Sequence, residues 1–154
     1  MNKAIFVFLC LLSFEGFSQK SPEKVTKYAP FKVPLLYTTI NNLKNKSVIS
    51  GEEAGKVLNF PLEIVDDKKN NYSVASYIIA YYRISEKTDE NTGKTEKVTN
   101  MVSQRFTTTP LPGYFLNPLI GYFKSGEDII FLDIIVKDNK GRVMYAPDLK
   151  LTIK

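Results

Sequence analysis

The chain has no histidine, no tryptophan and a single cysteine, and these shortages exclude whole classes of chemistry before any motif is considered. Histidine is the commonest general base and the commonest metal ligand, so its absence removes Ser-His-Asp, Cys-His and His-Glu-x-x-His arrangements together. The one thiol, Cys10, has no partner for an internal disulfide and falls in a segment expected to be cleaved off. That leaves neither thiolate catalysis nor Cys-ligated zinc. Glycine is scattered singly over 8 positions, which rules out a phosphate-cradling loop, and no run of closely spaced acids matches a calcium loop. Nothing approaches the ~20 apolar residues of a membrane-spanning helix. The expectation is a mature protein with no catalytic, cofactor-binding or metal-ligating residues, no cofactor and no transmembrane segment.

What is present suffices for one globular domain. At 154 residues and 44% hydrophobic content, the chain can bury about two thirds of its unfolded surface around a single core. Lys and Arg outnumber Asp and Glu 21 to 16, a net charge of +5. The lysines occur singly or in short pairs such as Lys68-Lys69, the pattern of a solvated surface and not of a nucleic-acid site.

Met1-Asn2-Lys3 is a short cationic start, Ala4 to Leu12 is apolar, and Gly16-Phe17-Ser18 puts small residues at −3 and −1 before Gln19. This is the anatomy of a secretory signal peptide over residues 1–18. Phe8-Leu9 before Cys10 are bulky where a lipoprotein signal requires small residues. The protein is therefore expected to be exported in a bacterium, to the periplasm or the periphery of the outer membrane. Residues 19–34, polar and carrying Pro22, Pro30 and Pro34, read as a flexible N-terminal arm.

From residue 35 to 154 the apolar residues are β-branched or aromatic and come in short runs punctuated by Gly, Pro, Asn and Asp. The pattern predicts an all-β, β-sandwich-like (Ig-like) domain. Tyr72 to Ile84 is the best strand, with Tyr72, Val74, Ser76, Ile78, Ala80, Tyr82 and Ile84 on one side. Both of its sides are largely apolar, which marks it as central. Asp128 to Lys137 is a second strand, with Ile130, Leu132, Ile134 and Val136 on one side and Asp133 and Lys137 on the other. Asp138-Asn139-Lys140-Gly141 reads as a hairpin turn leading into Arg142 to Tyr145. A last strand alternates Leu149, Leu151 and Ile153 with Lys150 and Thr152, and earlier strands are expected near Leu35 to Ile40 and Asn59 to Val65. Glu86 to Lys97, without an apolar member, reads as the solvated loop of a long hairpin. One short helix is predicted before the penultimate hairpin, capped by Asn117, opened by Pro118 and closed by Gly126.

Leu119-Ile120-Gly121-Tyr122-Phe123-Lys124-Ser125-Gly126, followed by Ile130-Phe131-Leu132-Asp133-Ile134 and Gly141, resembles the helix end, strand and hairpin glycine of one known domain. That domain is the C-terminal domain of GldM, the gliding-motility and type IX secretion protein. Asn59-Phe60-Pro61-Leu62, Tyr72-Ser73-Val74-Ala75-Ser76-Tyr77 and Ile49-Ser50 are similar to further segments of it, in the same order, over residues 40 to 154. Asp66 to Asn71 and Glu86 to Lys97 depart from the pattern as additions, and Pro118 and Gly121 shorten the helix. The resemblance implies a sandwich-like fold and a protein-contact role in the envelope of a Bacteroidetes-type bacterium. It does not imply a motor, because the transmembrane helices of GldM have no counterpart here.

The paired acids Glu52-Glu53, Asp66-Asp67 and Glu127-Asp128 fall at turns or element ends, where capping and turn formation account for them. Asp133 stands among Ile and Leu, on the outer side by alternation. Tyrosine is abundant, at 9 residues, and suits recognition surfaces as well as cores. Tyr81, Tyr114, Phe115 and Tyr122 are the candidate partner contacts. Two functions fit: a noncatalytic module that binds another envelope protein, or a small-ligand or glycan-binding sandwich. A flat or edge patch of Tyr favours the first and a concave pocket the second. The oligomeric state stays open. Mass spectrometry of the exported protein should find Gln19 at the N-terminus, and an intact Met1 in the envelope fraction would remove the export reading.

Overall fold

Short alternating runs of β-branched and aromatic residues form eight strands in the computed structural model, which describes residues 31–154. Lys32–Lys154 make up one compact unit. The expected leader and residues 19–30 of the expected arm lie outside the described residues. In chain order the elements are β1 (Leu36–Ile40), β2 (Ser47–Ile49), α1 (Gly51–Val57), β3 (Leu62–Asp66), β4 (Asn71–Thr88), β5 (Thr95–Phe106), α2 (Gly113–Leu116), β6 (Asp128–Lys137), β7 (Val143–Ala146) and β8 (Leu149–Ile153). The fold is all-β and sandwich-like, a mixed sheet curled around one core.

The curl originates in β4 and β6. The register along them runs Val74 opposite Val136, Ser76 opposite Ile135 and Ile78 opposite Leu132. One residue too many therefore sits in β4 at Ala75, and one too many in β6 beside Asp133, whose φ of 50° is left-handed. Bulges bend strands and increase their twist, and here the pair divides each strand between two layers. Beyond the bulges on one side, β6 carries β7 and β4 carries β3 and then β1. On the other side, β6 carries β8 and then β2, while β4 carries β5. The first layer curls until the Thr38 hydroxyl of β1 donates to the Pro147 carbonyl between β7 and β8, at 2.6 Å. The inner faces of both layers, with Ala54, Val57 and Leu58 of α1 and Leu116 of α2, make one continuous core.

Bulges also reset which residues face inward, because side chains alternate strictly and one extra residue inverts every position after it. Tyr72 and Val74 pack on the core, but beyond Ala75 the inward set is Tyr77, Ile79 and Tyr81. In β6 the inward residues are Ile129 and Phe131, then Ile134 and Val136. The single-sided sets expected for these strands are therefore corrected: Ile78, Ala80 and Tyr82, like Ile130 and Leu132, lie on the other face.

Three further expectations change. The helix predicted over 117–126 is not there: α2 occupies Gly113–Leu116, and Asn117 ends it by donating its backbone N–H to the Gly113 carbonyl. Pro118 follows it, and Gly121 and Gly126 take φ of 89° and 88°, which no helix admits. Thus the Leu119 to Gly126 segment, similar to the helix end of the GldM domain, consists of turns and irregular chain here. Second, α1 was not foreseen, although Ser50-Gly51-Glu52-Glu53 has the spacing of a capping box and the Ser50 hydroxyl accepts the Glu53 N–H at 3.1 Å. Third, the segment read as loop over 86–97 is half strand, with β4 running to Thr88 and β5 starting at Thr95 on either side of a loop over 89–94 that turns at Asp89. A strand with water on both sides needs no apolar residue, so charge alone did not mark a loop. The hairpin at Asp138 stands as expected, the Gly141 N–H reaching the Asp138 carbonyl and the Asp138 carboxylate accepting the Lys140 and Arg142 N–H groups.

Ile134→Ala, deep in the core, is expected to lower unfolding stability by about 2–5 kcal/mol, and Leu132→Ala on the opposite face by about 1 kcal/mol or less. Chemical denaturation of the two variants checks the inversion; equal losses would mean that the two side chains share one face.

Candidate functional site

Of the four aromatic residues singled out as contacts, the structure exposes two. Tyr114 on α2 and Tyr122 beyond it are 69% and 64% exposed. Phe115 is half-buried, its ring edge-on to Phe106 at 5.0 Å, because α2 turns that side inward. Tyr81 is corrected outright: it is 1% exposed, with its ring edge-on to Phe123 at 5.5 Å. Residues of β4 beyond the bulge point inward at odd positions, which carries Tyr81 into the core with Tyr77 and Ile79.

The Tyr81 hydroxyl donates to Glu127, a carboxyl with no solvent exposure. Glu127 also accepts the backbone N–H of Ile84 at 3.0 Å and of Lys124 at 2.8 Å. One side chain thus ties β4, the turn before β6 and the irregular segment after α2. Burial, and then the hydrogen bond to Glu127, push the Tyr81 phenol well above its ordinary range. Burial likewise raises Tyr77, packed between Phe106 and Phe131, to about 12.

Three further acids are similarly committed. Asp66 accepts the Lys68 and Asn70 N–H groups, the Asn70 amide and the Tyr72 hydroxyl. The Asn70 side chain is the main cause that holds its carboxyl below the usual range, against the opposing effect of burial. Asp128 meets Lys150 at 2.8 Å and Thr152 at 2.7 Å. Asp133, the bulge residue, pairs with Arg105. Among the described residues no group of three potential ligands is placed to hold a metal ion, and no helix is long and apolar enough to cross a membrane.

Sequence reasoning missed the largest feature, the outer face of the layer formed by β5, β4, β6 and β8. Ile78 stands opposite Leu132 and Arg105, Ala80 opposite Ile130 and Ser103, and Tyr82 opposite Asp128 and Met101. Residues directly opposite in a sheet share a face, so Ile78, Tyr82, Ile130, Leu132 and Met101 share one, with Ala80 enclosed among them at 1% exposure and Ser103, Arg105, Asp128 and Lys150 beside them. Ile78, Tyr82, Ile130 and Leu132 are half-buried and Met101 is 56% exposed, and none of these five belongs to the core cluster. The Arg105–Asp133 and Lys150–Asp128 ion pairs stand at its two margins. The signal was in the sequence: β4 reads apolar on both sides, and only one side is covered by the core. On the inner side of the same hairpin, Tyr81, Arg83, Val102, Pro118, Leu119 and Tyr122 line a groove of about 330 Å³, so two of the candidate contact residues, Tyr81 at its floor and Tyr122 at its rim, meet there.

No protein-family model matches the sequence, and no curated protein matches it.

Glu127→Gln turns an amide N–H towards a backbone N–H whichever way the side chain is placed, and is expected to cost about 1–3 kcal/mol of stability. Tyr81→Phe, which only removes a donor, should cost less. Thermal or urea unfolding of the pair checks the assignment, and an unchanged midpoint for Glu127→Gln would contradict it.

Proposed function

We propose that this chain is an exported, noncatalytic protein-interaction module of the bacterial cell envelope, of the kind that its resemblance to the C-terminal domain of GldM implies. It would act beside a gliding-motility or type IX secretion system. The observation that carries the reading is the apolar outer face of the β5–β4–β6–β8 layer. Soluble proteins rarely leave a contiguous apolar sheet face to water without an interaction to cover it. The acids that might have served acid–base chemistry, Glu127, Asp66, Asp128 and Asp133, instead hold turns, strands and a bulge. Tyr114 on α2 and Tyr145 on β7, 69% and 70% exposed, stand on open surface, while Tyr122 borders the groove beside Tyr81. That distribution favours a protein partner over a glycan or small ligand, which is taken up in concave, enclosing sites.

The test is affinity capture of the tagged protein from envelope extracts of its own organism, at moderate salt. The expected result is a stoichiometric envelope protein that Met101→Lys or Tyr122→Ala releases. Retention of glycan or small ligand alone would move the assignment to a binding-pocket protein. Turnover of peptidoglycan or peptides that disappears in Asp133→Asn would end the noncatalytic reading.

A further inference from the structure

Among the described residues β5 pairs with β4 along one side, and no strand, turn or loop bonds to the main chain of its other side. Over 12 residues it holds an unbroken register with β4, with neither a bulge nor a proline. From Val98 to Gln104 it carries no charge, and all of these residues but the half-buried Val98 are exposed. Free strand edges are normally blunted by proline, bulges, charges or a covering element, because their N–H and C=O groups recruit another strand. The end of the hairpin has a further need. β6 follows β4 only as far as Tyr82, so Arg83 to Thr88 and Thr95 to Asn100 form a ribbon of two strands. Such a ribbon is marginal by itself and gains independent stability with a third strand.

The sequence of β5 specifies which strand fits, because it mirrors itself about Asn100: Val98 matches Val102 and Thr99 matches Met101. Two copies related by a two-fold axis normal to the sheet run antiparallel and keep the same face upward. Opposite residues share a face, so the axis must pass at a residue and not between two. With the axis at Asn100, Val98 of one copy lies opposite Val102 of the other, Thr99 opposite Met101, Lys97 opposite Ser103 and Glu96 opposite Gln104. The exposed apolar residues of this edge, Met101 at 56% and Val102 at 46%, thereby meet β-branched partners, and no like charges oppose. Moving the axis to Met101 sets Lys97 against Arg105, and moving it to Thr99 sets Glu96 against Val102 and Lys97 against Met101.

We propose that β5 pairs edge to edge with β5 of a second copy, antiparallel about a two-fold axis at Asn100. Pairing from Thr95 to Arg105 closes about ten backbone hydrogen bonds, as many as a typical specific protein contact carries. It joins the β4–β5 layers of the two copies into one sheet and places each projecting ribbon within four strands. The inference goes beyond the envelope-partner reading and uses the strand edge, so the outer face of the layer stays open for that partner.

Disulfide trapping reads the register directly, because Cys10 is the only native thiol. In a Cys10→Ser chain, Asn100→Cys sets two thiols across the axis, where opposite Cα atoms stand about 4.5–5.5 Å apart, within disulfide reach. Val102→Cys, on the same face, has the other copy's thiol roughly 14 Å away along the strands. Mild oxidation is expected to link Asn100→Cys and to leave Val102→Cys unlinked. Sedimentation equilibrium of the purified chain, from about 1 to 100 µM, should show a monomer–dimer equilibrium. Ser103→Lys, set opposite Lys97, should weaken it about threefold or more, and Ser103→Glu should strengthen it, with circular dichroism unchanged. The pairing is overturned by a chain that stays monomeric throughout, by a dimer indifferent to both Ser103 variants, or by equal trapping at Val102 and Asn100. A monomer that still captures an envelope protein would remove this pairing and keep the partner reading. A dimer that responds as expected and captures nothing would do the reverse.

Discussion

A single buried carboxyl holds the parts of this domain that have no regular structure of their own. The segment between α2 and β6 contains Pro118 and two left-handed glycines, so its own backbone bonds are a few isolated turns, such as Tyr122 N–H to the Leu119 carbonyl and Glu127 N–H to the Lys124 carbonyl, and not a helical ladder. Glu127 accepts the Lys124 N–H from that segment, the Ile84 N–H from the central strand and the Tyr81 hydroxyl from the core. All three donors are neutral, and the Tyr81 hydroxyl, buried with Glu127, would be left unsatisfied without this acceptor. Phe123 packs on Tyr81 as a result, and Ile120 reaches the face of α1 at Gly55. The path from α2 to β6, the position of Tyr122 and the closing of the core at this end all follow from that knot.

The paired bulges at Ala75 and Asp133 are the second constraint, and they act on the knot's surroundings. Without them β4 and β6 would keep one side inward along their whole length, and the strands could not serve two layers. With them, each strand is inward at even positions in one layer and at odd positions in the other. Asp133 illustrates the local cost: a non-glycine residue held at φ 50°, with Arg105 anchoring its carboxylate. The consequence is the uncovered face. The curl brings Tyr77, Tyr81 and Phe131 inside and leaves Ile78, Tyr82 and Leu132 half-buried on the other face, although Ile and Leu favour interiors.

Function follows from that division of labour. Core and knot take up Glu127 and the buried tyrosines, and the surface offers a partly apolar sheet face, two well-exposed tyrosines at and beyond α2, and a long hairpin edge. A solvent-facing sheet with its ionic margins internally paired suits contact with protein. The predicted secretion signal and the ordered resemblance to an envelope domain place that contact, in our proposal, outside the cytoplasm.

Much of the fold was legible in the residues. Alternation of apolar and polar positions located β1, β6 and β8, and the Asp138 to Gly141 run located its turn, because these signals are local: a strand's period and a turn's backbone angles are set within a few residues. The capping spacing at Ser50 was equally local. The exclusion of histidine and thiol chemistry followed from composition alone. What only the tertiary structure decided was parity and cover. A bulge is an extra residue relative to a partner strand, so it has no meaning within one strand and cannot be read from Tyr72 to Ile84 or from Asp128 to Lys137 taken singly. Tyr81 therefore looked available for contact and proved buried. The two apolar sides of β4 were visible from the start, but which of them lay against the core depended on residues more than forty positions away, where β6 and Glu127 come back to meet it.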